Sequence, residues 1–287
     1  MKKVLGIYSP SSPHWVGDGF PVKTLFSYDV FGEQISPFLL LDHAGPMNFS
    51  PSSKKRGVGV HPHRGFETVT LVYQGGVAHK DSSGQGGVIG PGDVQWMTAG
   101  SGILHEEYHS DEFAQSGGQM EMVQLWVNLP KTHKMTAPKY QAITTEQIPQ
   151  ISILEGKGKI RLIAGELFGQ QGPTSTHTPM MVLDMSLTSG SKYLLPVAQA
   201  WSGIVMLRKG QANINGQLVT EGQTMILSHD GQDIEIESPD ASELVILSGQ
   251  PLGEPIFGYG PFVMNSQTEI DAAIKDFQQG KFGDIER

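Results

Sequence analysis

Two short segments carry the residues best suited to chemistry: His61-Pro62-His63 and His105-Glu106-Glu107. On an extended chain, residues i and i+2 project to the same side. His61 therefore faces with His63, and His105 with Glu107. If two such strands are neighbours in a barrel, the four side chains converge on one interior point. Three imidazoles and one carboxylate form a nitrogen and oxygen donor set without sulfur. That set suits octahedral iron(II), manganese(II) or nickel(II), with two positions open to water, O2 or substrate. Zinc accepts the same donors. The chain has no cysteine, so thiolate sites, disulfides and cysteine nucleophiles are excluded.

The residues around this set read less sharply. Glu106 points away from Glu107, toward solvent or the back of a ligand. Glu67 follows His63 by an even number of residues, so it is a candidate fifth oxygen ligand or a partner of one. Arg64 is placed to neutralise a carboxylate or an anionic ligand, or to make a structural ion pair. Trp96 and Met97 read as filling near the site. His43, at the end of an apolar run, is a weak pocket candidate. His79, His109 and His133 lie in polar surroundings and read as surface residues. His177 and His229 are isolated, so no second metal is expected in the second half.

Such a site needs strands to hold it, and the composition supplies them. Glycine makes up 36 of 287 residues, about an eighth of the chain, and there are 18 prolines. The usual glycine share is about 7%. Short apolar runs separated by these residues read as strands joined by tight turns. Strands are predicted at 38–41, 67–73, 93–97 and 120–129. Others are predicted at 151–155, 159–164, 180–187, 204–209, 211–214, 224–227, 233–237 and 243–248. The turn Gly156-Lys157-Gly158 reads as a hairpin. One helix is predicted near the end. Ser266 and Glu269 form a capping box, then Ile270, Ala273, Ile274 and Phe277 recur at helical spacing before Gly280. Proline and lysine crowd 130–139, which places a domain boundary near residue 140. The expected domains are 1–140, holding the metal, and 141–287, without one.

The charge balance narrows the partners. Twenty basic against 29 acidic residues give a formal charge of −9, which disfavours direct nucleic-acid binding and anionic membrane surfaces. The opening segment is too short in apolar residues for a signal sequence, and no long apolar run suggests a membrane span. A cytoplasmic protein is expected. The phosphate-cradling loop, the dinucleotide fingerprint and the Gly-x-Ser-x-Gly elbow are all missing.

Longer motifs surround the histidines. His61-Pro62-His63-Arg64-Gly65-Phe66-Glu67-Thr68-Val69 resembles the first motif of the pirin family, a branch of the cupin superfamily. The run Pro91-Gly92-Asp93-Val94-Gln95-Trp96-Met97-Thr98-Ala99-Gly100, with Gly102-Ile103-Leu104-His105, is similar to its second motif. Gln124-Leu125-Trp126-Val127-Asn128-Leu129-Pro130 resembles the strand that follows. Pro251-Leu252-Gly253-Glu254-Pro255 and Gly260-Pro261-Phe262-Val263-Met264-Asn265 also match, so the resemblance covers nearly the whole chain.

The resemblance implies an all-β fold of two tandem cupin barrels (double-stranded β-helix or jelly-roll) with a C-terminal helix. It implies metal binding in the N-terminal barrel through His61, His63, His105 and Glu107. Iron(II) is the first expectation, with manganese, nickel, zinc, copper or cobalt compatible. Some family members cleave the flavonol quercetin as 2,3-dioxygenases, opening the ring with loss of carbon monoxide. The favoured expectation is therefore a quercetin 2,3-dioxygenase-like oxidoreductase that takes a small enolic aromatic substrate and O2. Glu107 is its candidate catalytic base. The alternative is a non-enzymatic metal-binding regulator with protein partners, acting as a transcriptional co-regulator or redox sensor. A structural metal without turnover is a third reading.

Overall fold

The computed structural model describes residues 1–285. The chain divides into two compact units that are not consecutive halves. One comprises 1–11, 25–39 and 146–253; the other comprises 12–24, 40–145 and 254–287. A single cut near residue 140 therefore does not separate them. The cause is long-range strand pairing. The first strand, Val4–Tyr8, runs antiparallel to Thr224–Leu227 and so joins the later unit. The C-terminal helix, Gln267–Gln278, packs its Ile270 and Ala273 with Phe262, Met264 and Phe282, against partly buried Leu104 of the earlier one.

Each unit is built on a seven-stranded and a four-stranded antiparallel sheet. In the unit rich in histidine, the larger sheet runs in the order Lys139–Ile143, Val94–Thr98, Phe66–Gln74, Gly118–Asn128, Phe38–Phe49, Phe20–Ser27, His14–Val16. The smaller runs Gly57–His63, Ile103–His109, Val77–Asp81, Gly86–Ile89. Ile103–His109 alternates buried and half-buried positions along its whole length, as a strand with one face inward must.

The unit containing 146–253 pairs its sheets around a dense apolar interior. Ile160, Leu183, Val205, Met225, Ile236 and Ile246 are all among its buried residues. Several predicted strands keep their bounds, including Met180–Leu187, Gln211–Ile214 and Thr224–Leu227. The predicted hairpin also forms, with Gln150–Ile153 antiparallel to Gly158–Ala164. The predicted helix forms as well. Ser266 Oγ accepts from the Glu269 amide at 3.3 Å, and Glu269 accepts from the Asn265 amide at 2.8 Å. Among the described residues, no helix is long and apolar enough to cross a membrane.

Candidate metal centre

The strands Gly57–His63 and Ile103–His109 lie side by side, with His105 opposite His61 and Ile103 opposite His63. Their inward faces bring three imidazoles together. Ring centroids are 4.2 Å apart for His61 and His105, 4.7 Å for His63 and His105, and 4.9 Å for His61 and His63. One ring nitrogen from each lies within 4.8 Å of the others. Beyond His105 the register slips, because one extra residue is accommodated between Val58 and His61. Such a bulge re-aims the side chains beside it. On the other side of its strand Glu107 pairs with His79 in unbroken register, and it falls in a second, overlapping set with His105 and His79, while lining the same cavity as His61 and His63. The structure thus divides the four predicted residues between two triads that share His105.

These donors fit a divalent ion. His63 Nδ1, His105 Nε2 and Glu107 Oε1 are buried without a hydrogen-bond partner. Leaving such groups unsatisfied costs about 1–3 kcal/mol each. His61 Nδ1 lies 2.8 Å from the Gly59 carbonyl. A carbonyl only accepts, so the proton is on Nδ1 and the Nε2 lone pair is free. Burial, reinforced by the neighbouring imidazoles, holds His63 and His105 well below the usual histidine range. Both rings are therefore neutral and able to donate a lone pair.

The cavity occupies about 330 Å³ between the two sheets. His61, His63 and Glu107 stand on the smaller sheet. Phe20, Val22, Met122 and Trp126 come from the larger one, joined by Asp42 and Gln124. An apolar wall with two polar groups thus faces the imidazoles, an arrangement usual for a small-molecule site. Burial pushes the Asp42 carboxyl up, against the Thr24 hydroxyl, which donates to it at 2.6 Å.

Comparison with known proteins places this arrangement in context. Residues 19–127 match the pirin model, and residues 182–283 match that of the pirin C-terminal cupin domain. A Pseudomonas aeruginosa protein, provisionally named a quercetin 2,3-dioxygenase, is 54% identical over 98% of this chain and 99% of its own. The chain belongs to the pirin family. The two units are its two cupin-type domains. A quercetin 2,3-dioxygenase from Acinetobacter baumannii, solved by crystallography, superposes with a TM-score of 0.97 at 53% identity, covering all of both chains. A bacterial pirin from Escherichia coli, solved in complex with nickel(II), shares the fold at 21% identity. Its TM-score is 0.65, over 86% of this chain and 99% of that one.

Several sequence-based expectations are corrected around this pirin site. His79 is not a surface residue: it is 4% exposed on the strand Val77–Asp81. Its ring is parallel to Tyr140, with an interplanar angle of 2°. His109 is buried too, its Nε2 2.9 Å from the Gly19 carbonyl. His43 approaches Glu121 at 3.2 Å, and its neighbour Asp42 lines the cavity instead. Arg64 makes the structural pair, 3.0 Å from Asp276, and donates to the Ser101 carbonyl. Glu106 faces Lys55 at 3.7 Å.

Glu67 does not join the histidines. The chain turns at Gly65, which has φ +87°, so parity counted from His63 is lost there. A Cβ at Gly65 would lie 2.0 Å from the Val263 carbonyl, a place only glycine can occupy. Beyond the turn, Glu67 pairs with Val127, the neighbour of cavity-lining Trp126, and so points to the opposite face. There it accepts from the Thr98 hydroxyl at 2.6 Å, and burial raises its pKa to about 7.

This has a measurable consequence for stability. Between pH 4.5 and about 7 the unfolded chain ionises Glu67 while the folded chain keeps the proton. Stability present below pH 4.5 is therefore lost as pH rises through 7, by at most about 3 kcal/mol. Glu67→Gln retains the acceptor for Thr98 and carries no charge. It should stabilise the protein at pH 8 and change little at pH 4, as measured by urea unfolding. An equal effect at both pH values would refute the ionisation argument.

Proposed function

We propose that this chain is a metal-dependent dioxygenase. It would cleave flavonol-like or related enolic aromatic substrates with O2, one divalent ion per chain being held by His61, His63, His105 and Glu107. Iron(II) is the metal proposed first. The observation that supports this reading best is the cluster of three imidazoles and a buried carboxylate, opening onto an apolar cavity. The names borne by the 54% identical Pseudomonas relative and the Acinetobacter structure point to the same substrate class. The nickel-bound Escherichia coli pirin leaves other metals in contention.

Each wall has a task in this reading. An ion held by His61, His63, His105 and Glu107 would supply Lewis acidity toward a substrate hydroxyl. Glu107, buried beside the imidazoles, takes the released proton. Phe20, Val22, Met122 and Trp126 exclude water and receive the flat ring system. Asp42 and Gln124, across the cavity from the histidines, accept hydrogen bonds from hydroxyls at the far end of the substrate. The stoichiometry is one O2 per flavonol, with one ring carbon leaving as carbon monoxide.

The test is aerobic incubation with quercetin, following O2 uptake and loss of the flavonol absorbance together. Slow consumption of both is expected, and only by metal-loaded protein. A stoichiometric spectral shift without O2 uptake would instead favour a metal-binding regulator.

A further inference from the structure

His79 was not marked by the sequence as part of the site, and the proposed ligand set does not use it. Its position is nevertheless constrained on every side. On neighbouring strands, His79 pairs with Glu107 and Asp81 pairs with His105. His79 Nε2 lies 3.4 Å from Asp81 Oδ2, and His79 Nδ1 lies 3.4 Å from His105 Nδ1. The other Asp81 oxygen, Oδ1, accepts from the Ser83 amide at 2.8 Å, the Ser83 hydroxyl at 2.6 Å and the Gln85 amide at 3.2 Å. Tyr140 holds the ring from its face.

The proton positions follow from these contacts. Two facing Nδ1 atoms form a hydrogen bond only if one carries a hydrogen and the other a lone pair. Asp81 is an acceptor, so His79 carries its hydrogen on Nε2. Its Nδ1 then presents a lone pair and accepts from His105 Nδ1–H. This leaves the lone pair of His105 on Nε2, the buried atom without a partner. The opposite order would put hydrogen on that atom and remove His105 as a ligand.

We propose that Asp81 and His79 form a positioning relay that fixes the tautomer and ring orientation of His105 for metal binding. His79 acts through His105 and is not itself a ligand. The inference rests on the metal-binding reading above and adds two residues to it. Partners that orient a ligand histidine in this way typically change metal affinity 10–100-fold when removed.

Cobalt(II) is a suitable probe, because its affinity is measured by competition with a chelator and its visible bands report ligand geometry. His79→Ala should weaken cobalt binding roughly 10–100-fold and shift those bands. His79→Gln offers a carbonyl to His105 Nδ1–H and should restore most of both. Asp81→Asn tests the proton order with almost no change in volume. Its carbonyl oxygen stays with the Ser83 and Gln85 donors, so its NH2 faces His79. That arrangement reverses the relay, and Asp81→Asn should weaken cobalt as His79→Ala does.

Wild-type affinity and spectrum in both His79→Ala and Asp81→Asn would overturn the relay while leaving the metal site standing. Weakening in His79→Ala without recovery in His79→Gln would also overturn it, making His79 a ligand or a filler. If His79→Ala does not fold, Asp81→Asn and His79→Gln decide alone. Failure of the wild-type chain to take up cobalt, iron, nickel or zinc would defeat the metal reading itself.

Discussion

Replacing His61 and His63 together by alanine should leave the chain with less than about a tenth of an equivalent of bound metal after reconstitution and gel filtration. The double substitution removes two of the three rings that converge within 4.8 Å. It leaves His105 and Glu107, together with His79, as the second triad. The experiment therefore discriminates between two arrangements that share His105. If the relay holds, His79 has its Nδ1 lone pair engaged by His105 and its Nε2 hydrogen engaged by Asp81. It then has no lone pair to offer, and two donors do not retain the ion. Retention of a full equivalent would move the centre onto His79, His105 and Glu107. Elemental analysis, with circular dichroism to establish folding, is the measurement. The same double variant should consume no quercetin.

The convergence of the first-barrel histidines was legible in the sequence where strand geometry is local. His61 and His63, two residues apart on one strand, need only an extended backbone to face together, and they do. His105 was reachable for the same reason. The structure adds a third strand, Val77–Asp81, which sets His79 directly opposite Glu107. Nothing in residue spacing marks that pairing, because it depends on the partner strand.

The strand that carries His79 was hidden for a different reason. In Val77–Asp81 the buried positions are Val77, His79 and Asp81, while Lys80 is exposed. A strand whose inward residues are polar does not show the alternation of apolar and polar residues by which strands are recognised. The polar interior that makes a site useful also removes its sequence signal. Glu67 failed in the converse way. The even spacing was real, but Gly65 turns the chain between two sheets, and parity holds only within one strand. The break between 145 and 146 lies near the expected boundary, but the crossing of the N-terminal segment was not legible, because Val4–Tyr8 pairs more than two hundred residues downstream, a non-local choice that composition does not report.

Glu107 separates catalysis from mere ligation most sharply. Its carboxylate is buried beside His105, and Oε1 has no hydrogen-bond partner. It lines the cavity that would receive substrate, so it can serve as a ligand, a base or both. Three imidazoles are enough to retain a divalent ion, and Glu107→Gln preserves size and one carbonyl oxygen. The variant should therefore keep most of its metal. What it loses is negative charge and the ability to accept a proton. A positioned general base contributes about 10²–10⁴-fold, so turnover per bound metal should fall by roughly a hundredfold or more. Were Glu107 a ligand alone, activity would fall only in proportion to metal occupancy. Metal content and quercetin turnover must be measured on one preparation, since either quantity alone fits both cases. Unchanged specific activity per bound metal would end the catalytic-base assignment and leave Glu107 with a purely coordinating role.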